Sequence, residues 1–71
     1  MSPDLRLFFK ELEQTQANSW GELLADVETL MYKYVEHMPD GYEPADMMSV
    51  VETLGWLSYD TDEARFKVRL R

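Results

Sequence analysis

The chain contains no cysteine, which excludes disulfides, thiolate metal sites and any thiol nucleophile. It has a single histidine, His37, with Glu36, Asp40, Glu43 and Asp46 near it in sequence. That set lacks the repeated ligand spacing of a zinc site, and no EF-hand loop is present. His37 therefore reads as a solvated residue at a helix end, where a cation is favoured, or alternatively as a pH-sensitive contact. A glycine-rich phosphate loop and a G-x-S-x-G elbow are also missing. A His37–Ser49 dyad would need the fold to bring two distant positions together. A domain of 71 residues rarely encloses the ~300–1,000 Å³ pocket that a substrate occupies. The expectation is no enzyme, no cofactor and no bound metal. No apolar run approaches the ~18 residues of a membrane span. The opening M-S-P-D-L-R lacks the basic and apolar regions of a signal peptide, so the reading is a soluble cytoplasmic protein without membrane contact.

Positive charge is scarce and unevenly placed. The formal net charge is −7. All 14 acidic residues lie at or before Glu63, against Arg6, Lys10 and Lys33 over the same stretch. From Ala64 onward Arg65, Lys67, Arg69 and Arg71 meet no acid. An anionic body repels phosphates, which argues against general nucleic-acid binding and makes the C-terminal segment electrostatically distinct. Apolar content of 45% with nine aromatics supplies a core. A core of this size leaves only about 3–5 kcal/mol of net stability. Four tyrosines and two tryptophans either fill limited space or sit partly at an interface, where aromatics are favoured.

Periodicity divides the chain into one domain, 1–71, of three helices and a hairpin. The first helix, about 3–14, has Ser2 as N-cap, Pro3 at the first position and an apolar stripe of Leu5, Phe8, Phe9 and Leu12. Residues 14–18 read as a polar linker. The central helix, about 20–38, is the organising element. Its apolar residues Trp20, Leu23, Leu24, Val27, Leu30, Met31, Tyr34, Val35 and Met38 follow helical spacing. Ser19 and Glu22 form a capping box, and Pro39 stops the helix. A type I turn over 38–41 leads to a short helix, about 44–54, with Pro44 at its first position and Gly55 as a left-handed C-cap. Met31, Met38, Met47 and Met48 sit at core spacings, either as gap fillers or as part of an adaptable groove.

From about 56 to 70 the period changes to two. Leu57 and Tyr59 share a face, and Asp60-Thr61-Asp62-Glu63 has turn composition. Phe66, Val68 and Leu70 then alternate with Arg65, Lys67, Arg69 and Arg71, as in a strand half-buried in an antiparallel hairpin. The fold class is α+β.

The stretch P-A-D-M-M-S-V-V-E-T-L-G-W-L-S-Y-D-T-D-E-A-R-F-K-V-R-L, residues 44–70, resembles the closing part of a winged-helix domain. In that family the last core helix runs into a two-stranded wing, and L-G-W-L-S-Y-D followed by R-F-K-V-R-L is similar to that passage. The resemblance implies DNA contact through the last helix and the wing. Here the corresponding helix has no Arg, Lys, Asn or Gln and carries two acids, whereas base readout needs bidentate donors and phosphate positioning needs cations. Only the hairpin's Arg65, Lys67 and Arg69 suit phosphate. Family members that have moved to protein–protein contacts fit these residues better.

The residues support two function classes. The first is a small, acidic, non-catalytic protein-interaction module, an adaptor, regulatory subunit or homodimer. It would dock through Arg65, Lys67, Arg69 and Tyr59 of the hairpin and through exposed aromatics, with Trp20, Tyr32, Tyr42 and Trp56 as candidates. The alternative is a nucleic-acid-related protein, binding DNA through its wing as a dimer or imitating DNA through Glu22, Asp26, Glu28 and Glu36. Against the docking ridge stand internal ion pairing of the strand cations and edge protection by Lys and Arg.

Overall fold

The computed structural model describes residues 3–70, with side chains from residue 5 onward; the Ser2 cap and Arg71 lie outside the described residues. Within them α1 (Pro3–Leu12), α2 (Trp20–Lys33) and α3 (Pro44–Thr53) precede a two-stranded antiparallel hairpin, β1 (Leu57–Asp60) and β2 (Arg65–Val68). The α+β class and the order of elements are as the periodicity expects.

The apolar stripe of α1 buries Phe8, Phe9 and Leu12 completely or nearly so. Leu23 and Val27 from α2, and Met47, Met48 and Val51 from α3, close over them, with Val68 of β2 beneath. The central helix packs against both other helices. It is not the main source of buried side chains, however; α1 and α3 each bury more of their length. Phe8 and Phe9 meet edge to face at 5.1 Å. Phe8 continues onto Tyr34 at 6.2 Å and Phe9 onto Trp56 at 5.4 Å, both nearly perpendicular.

Two helices end earlier than the expected bounds. After Leu12, α1 tightens: the Gln14 N–H donates to the Glu11 carbonyl (2.9 Å) and the Thr15 N–H to the Leu12 carbonyl (3.2 Å). The α2 helix stops at Lys33 rather than Met38. Tyr34 leaves helical geometry at φ −110°, ψ 27°, and Val35–His37 forms a 3-10 turn. At this break Tyr34 contacts α1: its ring lies on Phe8 and its hydroxyl donates to Glu11 Oε1 at 2.8 Å. Met38 is extended ahead of Pro39, as its position before a proline requires. Val35, in phase with the buried stripe of a continuous helix, is instead 60% exposed. Gly41 takes φ +82°, so its own backbone needs glycine, a requirement that the fourth residue of a type I turn does not impose.

At the start of α2 the Glu22 N–H donates to Ser19 Oγ (3.2 Å), while Glu22 Oε2 accepts from the Asn18 N–H (2.7 Å), one residue before the cap. Gly55 has φ +74°, as a left-handed C-cap requires. The strands register Leu57 with Val68, Ser58 with Lys67, Tyr59 with Phe66 and Asp60 with Arg65. Beyond them the Arg69 N–H still donates to the Trp56 carbonyl (2.8 Å).

The linker between α1 and α2 runs along the outer side of β2. Ala17 is buried and its carbonyl accepts from the Phe66 N–H at 2.9 Å. Asn18 Nδ2 donates to the Ala64 carbonyl (3.0 Å), and the Leu70 N–H to Glu13 Oε1 (2.8 Å). The basic strand is therefore covered on its outer side at these points.

Two outcomes follow from this packing. Phe9→Ala removes about 3–5 kcal/mol, comparable with the whole stability of so small a domain. Its far-ultraviolet circular dichroism should show a largely unfolded chain, and a cooperative native-like melt would refute the clamp. Ala64 sits at φ 54°, a conformation costing a non-glycine residue about 1 kcal/mol or more. Ala64→Gly should therefore raise Tm by about 4–8 °C if about 1 kcal/mol is recovered; a lowered Tm would show that the turn carries no such strain.

Candidate functional site

The hairpin separates its side chains by strand alternation. Leu57, Tyr59, Phe66 and Val68 face the helices, and Ser58, Asp60, Arg65 and Lys67 face the other way. On that outer face the acids of the turn hold the cations of β2. Lys67 Nζ lies 3.0 Å from Asp60 Oδ2 and 3.6 Å from Glu63 Oε1, and the Arg65 guanidinium lies 2.8 Å from Glu63 Oε2. Arg65 and Lys67 are about three-quarters buried by this pairing, at 26% exposure each. Arg69 is exposed and has no ion pair among the described residues. Of the three ridge cations, two are thus engaged within the hairpin.

Asp60 organises the turn as well. Its Oδ1 accepts from the N–H groups of Asp62 (2.9 Å) and Glu63 (3.0 Å). The Glu63 N–H, and then Lys67, hold the Asp60 carboxyl below the usual range. A second pair joins α1 to the end of α2, where Glu11 Oε1 accepts from Lys33 Nζ (2.6 Å) and from the Tyr34 hydroxyl (2.8 Å). Lys33 and then Tyr34 lower the Glu11 carboxyl, and Glu11 in turn raises Lys33.

The aromatic candidates divide into two groups. Trp20 and Tyr59 are partly exposed but stack edge to face on Phe66, at 5.7 and 4.9 Å. Trp56, a candidate for exposure, is instead half-buried, because its ring closes over Phe9. The second group is different. Tyr32 is 72% exposed and Tyr42 46% exposed, with no ring or hydrogen-bond partner among the described residues. With Val35 they border a groove of about 490 Å³ between the end of α2 and the approach to α3. Met31 and Met38, both half-buried, contribute its deeper apolar lining. Tyr32 stands out in the sequence by lying beside the main stripe of α2. Val35 does not, because the spacing assigns it to the core, whereas it lies on the 3-10 turn that follows α2.

The acidic residues of α2 do not form one row. Glu22 and Asp26 lie about 40° apart around a helix, whereas Glu28 lies about 200° from Asp26. Glu28 joins Asp40 and Glu43 in lining the Tyr32 groove, and Glu36 is exposed on the 3-10 turn beside it. His37 is on the same turn, and Ser49 is exposed on α3. Among the described residues no three His, Cys, Asp or Glu side chains are grouped as metal ligands, and no helix is long and apolar enough to cross a membrane.

The two carboxylate clusters predict an acid-sensitive fold. Asp60 and Glu11 have lowered folded-state pKa values, so each contributes stability above its unfolded pKa of about 4 and loses it as pH falls through the folded value. Lys33 is raised, so its contribution is intact below about pH 10.4 and is lost at higher pH. Urea midpoints should be flat around neutrality and fall below about pH 4, with a shallower acid limb in Asp60→Asn. Superimposable acid limbs would show that Asp60 is not coupled to folding.

Comparison of the chain with protein-family models, curated proteins and solved structures finds no match.

Proposed function

We propose that this chain is a small, acidic, non-catalytic protein-interaction module of the cytoplasm, an adaptor or regulatory subunit, docking through exposed aromatics at the C-terminal end of α2. The observation that carries this reading is Tyr32, 72% exposed beside a 60% exposed Val35, both lining one apolar groove with Tyr42. Large apolar side chains gathered in a concavity are what the desolvated centre of an interface uses, and tyrosine is enriched there. Scattered single exposures would need no explanation; a contiguous set does.

Docking through the hairpin is the weaker part of the original expectation. Arg65 and Lys67 would have to exchange the ion pairs with Glu63 and Asp60 for pairs with a partner, an exchange with little net gain at a partly solvated site. The same consideration weighs against DNA contact through the wing, since phosphate binding draws its affinity from cations free to displace counterions.

A photo-cross-linking amino acid placed at position 32, at position 42 or, as a control, at position 61 of the hairpin turn tests the reading in host cells. Positions 32 and 42 should yield the same discrete protein adduct, and position 61 should not. The reading fails if adducts form from position 61 and not from 32, or if all positions give the same diffuse pattern.

A further inference from the structure

The groove beside Tyr32 is apolar in its walls and acidic at its rim, and these two properties together specify a ligand. Tyr32, Val35, Met31 and Met38 supply the apolar surface, and Glu28, Asp40 and Glu43 also line it, with no lysine or arginine among its lining residues. Lys33, the nearest cation in the chain, is held 2.6 Å from Glu11 on the side facing α1. Residues 34–64, which supply most of the groove lining, contain no lysine or arginine at all.

Resting on the reading above, we infer that the groove takes a cationic segment of a partner protein that carries a bulky apolar anchor. The anchor fills the space between Tyr32 and Tyr42, over the methionines, whose unbranched side chains adapt to different shapes. Lysines or arginines flanking the anchor meet Glu28, Asp40 and Glu43, and this complementarity steers approach and makes binding salt-dependent. A second copy of the chain is a poor occupant. It carries the same net charge of −7, and its own basic stretch commits Phe66 and Val68 to the interior and Arg65 and Lys67 to the turn acids. Nucleic acid brings charge of the wrong sign.

The probe is a synthetic amphipathic peptide of leucine and lysine, compared with a leucine–glutamate peptide and a serine–lysine peptide on the intact chain. Binding is followed by amide chemical shifts and fluorescence anisotropy. The leucine–lysine peptide should perturb Met31, Tyr32, Val35 and Tyr42, and the other two peptides should not bind there. Glu28→Lys combined with Glu43→Lys should weaken it roughly tenfold, and Tyr32→Ser should abolish it in a chain whose spectrum is otherwise native. Equal binding of the leucine–glutamate peptide in the groove would overturn the charge inference while leaving the groove as a docking surface. Shifts confined to the Trp20–Tyr59 side or to the hairpin would overturn the groove reading itself. A solution mass of twice the chain, with Tyr32 protected in the dimer, would identify a second copy as the occupant and overturn the inference.

Discussion

Phe8 and Phe9 are adjacent on α1, and the two rings point to different parts of the molecule. One reaches Tyr34 at the end of α2; the other reaches Trp56 at the entrance to the hairpin. A chain of this length has few large side chains to spend on its interior, and these two aromatics, fully or almost fully buried, connect elements that otherwise lie far apart in sequence. Aromatic pairs contribute about 0.5–1.5 kcal/mol beyond their buried area. In a domain with only a few kcal/mol in hand, that margin is large. The same clamp reaches the surface. Tyr34 is held by Phe8 and by Glu11 where the α-helix ends, and Val35, just beyond, is exposed like Tyr32. The apolar groove thus lies where α2 ends and the chain turns toward α3.

Charge that is segregated along the chain is not segregated in the same way in space. The four cations after Ala64 follow directly on Asp60, Asp62 and Glu63, and a hairpin folds one strand back on the other. Two of those cations therefore close onto turn acids within 3.0 Å. What looked like a basic pole becomes a nearly neutral ribbon with Arg69 at its margin. The excess negative charge lies on the helical body and around the groove, whose lining residues include no lysine or arginine. Linear asymmetry and surface field are different quantities, and only the second acts on a partner.

The elements were legible because their periods were strong. Leu5, Phe8, Phe9 and Leu12, or Phe66, Val68 and Leu70, admit one secondary structure each, and Pro44 and Gly55 mark a start and a stop. Boundaries were less legible where a helix stops short of its period, as at Tyr34. The linker itself is legible, but its pairing with β2 is not, for another reason. Ala17 and Asn18 carry no apolar pattern, yet the Ala17 carbonyl and the Asn18 amide meet the outer side of β2 and the turn; backbone pairing of a polar stretch leaves little trace in side-chain spacing. Tyr32 was legible as an outlier from its stripe. Val35 was not, since the helix that would bury it ends at Lys33, two residues earlier. Trp56, a candidate for exposure, is half-buried because its ring packs on Phe9, nearly fifty residues earlier.

The two candidate surfaces therefore stand in a different order from the one that the chain suggests when read linearly. A cation held by a carboxylate must give up that contact before it can serve a partner, whereas an exposed tyrosine gives up only water, and water leaving an apolar concavity favours association. At the hairpin, the engagement of Arg65 and Lys67 also stabilises a turn that contains a strained Ala64, so withdrawing them would loosen the ribbon that Phe66 and Val68 anchor. At the groove, Tyr32 and Tyr42 have no ring or hydrogen-bond partner among the described residues to give up. A surface whose side chains can be covered without disturbing the fold is the one free to evolve specificity, and here that surface lies at the broken end of α2.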